Sequence, residues 1–298
     1  MAISLLADAA SGRADGFRND DFQRGLARWN RARLAPRFPD EDWPGAEDRD
    51  ARLRRQEGEF LDSLRAEVAG EAAGAPTDVD GFIAWFEALR DRGPGQDDPL
   101  FPWLAEAADR DQMRWFLGQE AAGEAGFEDL LAYTQIRMPA RAKLEFARNY
   151  WDEMGRGNPK GMHGPMLNHL IEALELAADI DDTVWESLAL ANAMTGMATV
   201  RRYAWHSVGA LGVIELTAPD RSAATAAGLR RLGFTPEERR YFDLHAVLDV
   251  KHSEAWNREA LAPLVEEDPR RAAAIAEGAL IRLHCGARCF ERYRCELW

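Results

Sequence analysis

Cysteine is scarce in this sequence, and its three residues, Cys285, Cys289 and Cys295, are confined to the last fourteen positions. Their odd number and their spacing fit neither paired zinc ligands nor a disulfide framework. We therefore expect reduced cysteines that mostly pack in the core and that do not bind a metal.

Long apolar runs are also missing. No stretch approaches the roughly 18 apolar residues that a membrane-spanning helix needs. The first residues, MAISLLADAASG, lack the basic segment and the long apolar segment of a secretion signal. These absences argue against a membrane protein, and we expect a cytoplasmic one.

An excess of basic charge is absent as well. The 298 residues carry a formal net charge of −14, and the basic side chains are interspersed with acids rather than collected in a stripe. This distribution argues against nucleic acid and anionic membranes as partners. Apolar residues make up 46% of the chain, which is enough to build a sizeable core.

Alternating strand patterns are not found, whereas helical periodicity extends from end to end. We therefore predict an all-α fold. Charge-rich helical segments dominate the first part of the chain and end at the loop DRGPGQDDP, and the later helices are richer in aromatic residues. This change predicts an N-terminal helical extension over 1–95 and a helical bundle over 96–298.

The octapeptide HAVLDVKH contains His245, Asp249 and His252. On a helix these residues are four and three positions apart, so all three project from one stripe. The apolar residues around them, Val247 and Val250 among others, predict that much of this helix is buried. A buried carboxylate between two imidazoles is costly unless it is hydrogen-bonded or binds a cation. Taken alone, the octapeptide fits a hydrogen-bond network and a metal site equally well.

Other candidate ligands favour the metal site. Glu215 interrupts the apolar run VGALGVIEL and lies thirty residues before the octapeptide. Glu153 and His163 flank a glycine-rich interruption that could separate two helices. Each of these residues also fits a solvated position, and Asp152 competes with Glu153 as the relevant acid.

A further carboxylate is expected from Glu120 or Glu124, which lie one helical turn apart on the same face, although such pairs of acids are common on surfaces. A ligand set of histidines and carboxylates without thiolates suits iron or manganese in a helical bundle. No histidine has a glutamate three residues before it, so a ferritin-like arrangement is disfavoured. Glu128 is treated as an acid outside the site.

Taken together, the motifs resemble those of the haem-oxygenase-like diiron oxidases over roughly residues 100–298. The first shared motif is H-x3-D-x2-H, preceded by an isolated glutamate about thirty residues earlier, which is Glu215 in this chain. The second is E-x-G-x-G followed by a histidine, which runs here from Glu153 to His163. The order and the spacing of the two motifs are more specific than either motif alone.

This resemblance implies a seven-helix up-and-down bundle with two iron ions and no haem, and a mixed Mn/Fe pair is compatible with the same ligands. Glu215 and Asp249 are expected to take part in catalysis. The implied activity is the transfer of two electrons to O2, with oxidation or oxygenation of a small organic molecule such as an amine, an amino acid or a fatty acid. The implied metal ligands are Glu120 (with Glu124 as the alternative), Glu153, His163, Glu215, His245, Asp249 and His252.

Two other functions stay open. A metal-free bundle, of the kind that performs thiamin salvage or cofactor ring oxidation, would bind a small organic ligand and no iron. A ferroxidase or another iron-handling protein would oxidise Fe(II) without an organic co-substrate. The iron content and the dependence on an organic substrate distinguish these functions from the first.

The remaining polar residues have weaker assignments. Arg201 and Arg202, ahead of Glu215, are candidates for binding a substrate carboxylate, although a surface or packing role is the simpler interpretation. The other three histidines are predicted to be structural. His169 and His206 lie off the expected ligand faces, and His284 lies in the closing helix without nearby acids. Exposed apolar helix faces are also compatible with a homodimer.

Overall fold

The computed structural model describes residues 15–39, 43–123, 126–176 and 179–298. Over these residues the chain forms α-helices, short 3₁₀ segments and one π-helical turn, without a strand. The predicted all-α fold is therefore confirmed. The count of seven helices is not confirmed, because several of the described helices are only one or two turns long.

The α-helices are numbered here in chain order. The longest are α2, α11 and α14, with 30, 28 and 27 residues. The helices are α1 (Asp20–Leu34), α2 (Trp43–Ala72), α3 (Val79–Glu87), α4 (Leu89–Arg92), α5 (Leu100–Glu106), α6 (Arg110–Gly123), α7 (Phe127–Thr134), α8 (Ala140–Glu153), α9 (His163–Ala173), α10 (Trp185–Thr199), α11 (Ala204–Arg231), α12 (Arg240–Trp256), α13 (Ala262–Glu267) and α14 (Arg271–Leu297).

The described part of the N-terminal segment is helical and packs against the later helices. Leu26 of α1 and Phe60 of α2 belong to the same hydrophobic core as residues of α10, α11 and α14. Arg65 of α2 donates a hydrogen bond of 2.7 Å to Glu277 of α14. These contacts pack α1 and α2 against the bundle, and the domain boundary at residue 95 stays a prediction.

Helices α11 and α14 cross with their backbones in contact. A Cβ atom on Gly209 would lie 1.9 Å from the carbonyl oxygen of Ile275, and one on Gly278 would lie 1.9 Å from the carbonyl oxygen of His206. Since no other side chain fits at either position, the two glycines allow this close approach. The crossing holds α11, which carries Glu215, in the centre of the fold.

Pro219 lies inside α11, four residues after Glu215. A proline has no backbone N–H, so the carbonyl of Glu215 lacks the helical hydrogen bond that residue 219 would otherwise donate. The regular backbone pairing of α11 is therefore interrupted next to a predicted ligand.

Helix α12, which carries the HAVLDVKH motif, is buried on one face only. Val247 and Val250 are 66% and 40% exposed, so the prediction that much of this helix is buried is wrong. The reason is that α8, α9 and α11 pack against the opposite face. That face presents Tyr241, Asp249 and His252 to the interior.

The structure also bears on the expectations about the three cysteines and about membrane-spanning helices. Cys285 and Cys289 are buried free thiols, as predicted, whereas Cys295 is exposed and does not pack in the core. Within the described ranges, no helix is both long enough and apolar enough to cross a membrane.

Candidate metal centre

A tight glycine-rich loop joins α8 to α9 and brings two predicted ligands together. Gly155 has a φ of +60°, and a Cβ atom there would lie 2.3 Å from the carbonyl carbon of Gly161. Glycine is required at such a position because other residues rarely adopt this φ and because no side chain would fit. The loop places Oε2 of Glu153, the last residue of α8, 2.7 Å from Nδ1 of His163, the first residue of α9.

His245 of α12 completes a first cluster with Glu153 and His163. Its Nε2 lies 3.0 Å from Nδ1 of His163, and its Nδ1 lies 2.7 Å from the carbonyl oxygen of Tyr241. Because a carbonyl oxygen only accepts, Nδ1 of His245 carries the proton and Nε2 presents its lone pair to the cluster. One ligand atom from each of the three residues lies within 4.8 Å of the other two.

Glu215, Asp249 and His252 form a second cluster, with all three residues buried and their ligand atoms also within 4.8 Å of one another. Asn149 donates a hydrogen bond of 2.6 Å to Oε1 of Glu215, and Oε2 lies 3.4 Å from Nδ1 of His252. Nε2 of His252 donates to Oδ2 of Asp152 at 3.2 Å. The Nδ1 atom of His252 therefore faces the two carboxylates of its cluster.

Burial and neighbouring charges shift pKa values in both clusters. It raises the pKa of Glu153 to about 8 and lowers the pKa of His163 to about 4. At neutral pH the 2.7 Å contact is thus a hydrogen bond between neutral groups rather than an ion pair. Burial also acts to lower the pKa of His252, but the hydrogen bond and charge of Glu215, together with Asp152, outweigh it and raise that pKa to about 9.

The donor sets fit iron or manganese. The first cluster offers two imidazole nitrogens and a carboxylate, and the second offers one imidazole nitrogen and two carboxylates. A cation would offset the cost of ionising Glu153 in the interior, because a metal-bound carboxylate is deprotonated. Each cluster could therefore hold a metal ion.

Glu120, the favoured candidate for the further carboxylate, belongs to neither cluster. Glu120 lines the cavity beside the clusters, and its Oε1 accepts a hydrogen bond of 2.9 Å from the hydroxyl group of Tyr293. Glu124 lies outside the described residues. The other predicted ligands are the six residues that the fold brings together.

Glu128, in the first turn of α7, is a carboxylate near the first cluster that sequence reasoning missed. Its Oε1 lies 3.1 Å from the position that a Cβ atom on Gly164 would take, directly after His163. Beside burial, the charge of Glu128 helps to raise the pKa of Glu153. An acid in the first turn of a helix is common for electrostatic reasons alone, so nothing in the local sequence marks Glu128 as a site residue.

Arg201 and Arg202, the predicted substrate-binding residues, lie away from both clusters. The guanidinium of Arg201 donates to backbone carbonyls at the C-terminal end of α7. Arg202 is exposed and forms hydrogen bonds with Asp62 of α2. Neither residue lines the cavity, because both lie in a 3₁₀ segment that precedes α11 and that turns them outward.

The three histidines that were expected to be structural belong to neither cluster. His206 is hydrogen-bonded to Glu277 at 2.8 Å, and His284 to Glu71 at 2.9 Å. His169 is exposed on α9. Of the six histidines, the three that belong to the clusters are therefore those of the two sequence motifs.

A cavity of about 320 Å³ lies beside both clusters. Glu153, His163 and His245 of the first cluster line it, and so do Glu215 and Asp249 of the second. A small molecule in this cavity would contact both clusters. The larger apolar residues of the wall are Phe101, Phe116, Phe127, Leu167, Ile171, Leu190, Ile214, Phe242 and Phe290.

Comparison with known protein families matches residues 114–287 to a family described as iron-containing redox enzyme. The matched region covers more than half of the chain, begins within α6 and ends within α14. It includes all six residues of the two clusters. No curated protein matches the chain.

Proposed function

This chain belongs to the family of iron-containing redox enzymes, and from that membership we propose that it is a non-haem diiron oxidoreductase that uses O2 to oxidise a small organic molecule. The family match confirms the resemblance inferred from the sequence motifs, and it supports an iron-containing oxidoreductase. The number of iron ions, the use of O2 and the substrate class are the proposed parts.

The observation that carries the proposal is the division of HAVLDVKH between two adjacent clusters. His245 belongs to the first cluster, and Asp249 and His252 belong to the second. Since His245 and Asp249 are one turn apart on the same face of α12, two ions held by these clusters would be neighbours. A single metal site would need only one of the two ligand groups.

We assign one iron ion to Glu153, His163 and His245, and the other to Glu215, Asp249 and His252. Glu128 is the additional carboxylate of the first ion in this proposal, in place of Glu120 or Glu124. Glu215 and Asp249 line the cavity, whereas His252 does not, so these two carboxylates are the ligands of the second ion that a substrate would meet.

The protein's contribution is to hold and orient the ligands. When bound, an iron pair supplies the two electrons that the first stage of O2 reduction requires, which a single ferrous ion does not. The carbonyl of Tyr241 fixes the tautomer of His245, and Asp152 does the same for His252. Asn149 holds one oxygen of Glu215, so its other oxygen remains directed at the cluster.

Burial also affects the protonation of Glu153 and the access of water to the site. Glu153 has to release its proton when a cation binds, because the carboxylate is the ligand form. The apolar wall of the cavity limits access of bulk water, which would compete for open coordination positions and for reactive species. O2 and one small organic substrate are the proposed partners.

The proposal is tested by anaerobic reconstitution with Fe(II), followed by iron analysis and by Mössbauer spectra of samples frozen before and after exposure to O2. The expected result is two iron ions per chain, with spectra of a coupled pair after oxidation. A mixed Mn/Fe pair would appear as one equivalent of each metal when both are supplied. A matched variant, His284→Ala, changes a histidine outside both clusters and should load like the parent protein.

Two results would contradict the proposal. Failure to bind iron would support the metal-free bundle. Continuous O2-dependent oxidation of added Fe(II), with no dependence on any organic molecule, would support the ferroxidase.

A further inference from the structure

Arg282 of α14 lines the same cavity as the two clusters and has no partner in the described part of the chain. Its Nη1 atom is buried and forms no hydrogen bond there, and the guanidinium forms no ion pair with a described carboxylate. An arginine side chain stays protonated at every relevant pH, so a buried guanidinium N–H requires an acceptor. The cavity is where an acceptor could bind.

Gly286, one turn further along α14, leaves room for this guanidinium. A Cβ atom on Gly286 would lie 2.8 Å from Nη1 of Arg282, so the absence of a side chain there makes room for the charged group. The guanidinium therefore lies over the helix backbone at the cavity wall.

Arg221 of α11 adds a second guanidinium to the wall of the cavity. Its Nη2 donates to Oγ1 of Thr217 at 2.6 Å, and its Nε donates to the carbonyl oxygen of the same residue at 3.1 Å. Its Cζ lies 5.4 Å from the centre of the Phe290 ring, which also lines the cavity. These contacts hold Arg221 in place, so the cavity wall has a fixed positive charge in addition to Arg282.

We propose that Arg282 binds the carboxylate of an apolar organic acid, and that this acid is the substrate class of the enzyme. A guanidinium and a carboxylate form paired, charge-assisted hydrogen bonds, which would satisfy Nη1. An ammonium group has no acceptor atom and could not satisfy Nη1 of Arg282, so an amine is disfavoured at this position. This inference rests on the proposed function, since the acid is a substrate only if the clusters hold iron.

The apolar part of the cavity wall indicates which hydrocarbon group the acid carries. Phe101, Phe116, Leu190 and Phe290 offer apolar and aromatic surface. Glu120 also lines the cavity, where its Oε1 accepts a hydrogen bond from Tyr293. An aliphatic or aryl chain fits this surface by burial of apolar area. Such a chain would extend from Arg282 toward the carboxylates of the clusters, where oxidation takes place.

The inference is tested with octanoate, octanol and octylamine, which share a chain length and differ in charge. Each compound is titrated calorimetrically into the full-length protein, first without iron and then after anaerobic loading with Fe(II). Octanoate is expected to bind most tightly and octylamine most weakly in both states. Equal binding of octanoate and octanol in the iron-free protein would overturn the inference, because it would leave Arg282 without a role in recognition.

Two variants localise the effect. Arg282→Gln should weaken octanoate binding about tenfold or more and leave octanol binding unchanged. Arg202→Gln removes the same charge from the exposed arginine that pairs with Asp62, and it should bind octanoate like the parent protein. Equal affinities of parent and Arg282→Gln proteins for octanoate would also overturn the inference. If Arg282→Gln does not fold by circular dichroism, Arg282→Lys keeps the charge, and its loss of affinity for octanoate should be smaller.

Iron analysis of the same samples separates this inference from the proposed function. Two iron ions per chain without selective carboxylate binding would refute only the role of Arg282. Carboxylate binding that depends on Arg282 in a protein unable to hold iron would refute the diiron function and leave an acid-binding site.

Discussion

The imidazoles of His163 and His245 face each other, with 3.0 Å between Nδ1 of the first and Nε2 of the second, although 82 residues separate them in the chain. The rings are nearly perpendicular, at 82°. Since Nδ1 of His245 donates to a backbone carbonyl, Nε2 of the neutral imidazole can only accept or bind a cation. Together with Glu153, the pair offers a cation two nitrogens and an oxygen at one point.

Replacement of His245 by alanine should remove iron from the first cluster. The variant loses one of the four ligands proposed for the first ion, so we expect no more than one iron ion per chain after anaerobic loading, measured by metal analysis. The helical circular dichroism should be largely retained, because His245 lies on a half-exposed helix and makes one hydrogen bond to the backbone. His284→Ala is the control. A parent-like iron content in His245→Ala would exclude α12 from the first cluster.

The ligands on α12 could be predicted from the sequence because their relationship is local. The spacing of His245, Asp249 and His252 determines that they share a helix face, whatever that helix packs against. The loop between Glu153 and His163 could also be anticipated, because its glycines mark a backbone that turns sharply. These two motifs supplied five of the six residues in the clusters, and Glu215 followed from its unusual position in an apolar run.

The remaining parts of the site depend on packing between distant segments, which no local spacing reveals. Glu128 resembles any acid at a helix N-terminus until α7 is placed beside α9. Arg282 resembles any polar residue of a long helix, and Arg201 and Arg202 stood out only because they are near Glu215 in the sequence. The burial of α12 was overestimated because its valines were assigned to the core, although only one face of the helix is covered.

Replacement of Glu128 by glutamine tests the carboxylate that the structure adds to the first cluster. We expect iron affinity to fall about tenfold or more, because a charged ligand is lost while the size of the side chain is kept. Asp129→Asn is the matched control, since it removes the same charge from the adjacent, exposed position of α7. Competition with a chelator measures both affinities. Equal iron affinities in these two variants would return Glu128 to the surface acids, and Glu120→Gln would then be the next variant to measure.

The iron-free protein should become less stable as the pH rises from about 6.5 to about 9. The folded pKa values of Glu153 (about 8) and His252 (about 9) lie above their ordinary values of 4.5 and 6.5. Each group therefore adds stability at low pH that is lost as the pH rises through its folded pKa. The lowered pKa of His163, about 4, acts in the opposite direction but only below pH 6.5.

Calorimetry of the iron-free protein measures this effect as a decrease in Tm on the order of a few °C. Glu153→Gln lacks one of the two titrating groups, so its Tm should depend less on pH over the same range. A Tm that stays constant or rises between pH 6.5 and 9 in the parent protein would show that these two groups do not hold their protons in the folded state.

Asp152 should act on the metal through His252. It accepts the Nε2 proton of that imidazole at 3.2 Å and is itself paired with Arg156. Asparagine at this position could present its amide N–H to the imidazole and favour the wrong tautomer, so we expect Asp152→Asn to weaken iron binding by about 10- to 100-fold. Glu254→Gln, which removes an exposed acid two residues after His252, is the control for the loss of charge alone.

A role of Asp152 in orienting His252 has a signature that a purely structural role lacks. Replacement by glutamate keeps the acceptor and should restore part of the iron affinity, whereas a defect in folding would not be relieved by a longer side chain. The comparison also distinguishes Asp152 from a direct ligand. A direct ligand lost in Asp152→Asn would change the iron stoichiometry at saturation, but a positioning residue changes only the concentration of Fe(II) needed to reach it. Two iron ions per chain at saturating Fe(II), with a weakened affinity in Asp152→Asn, would therefore assign Asp152 to the support of His252 and leave the second ion to Glu215, Asp249 and His252.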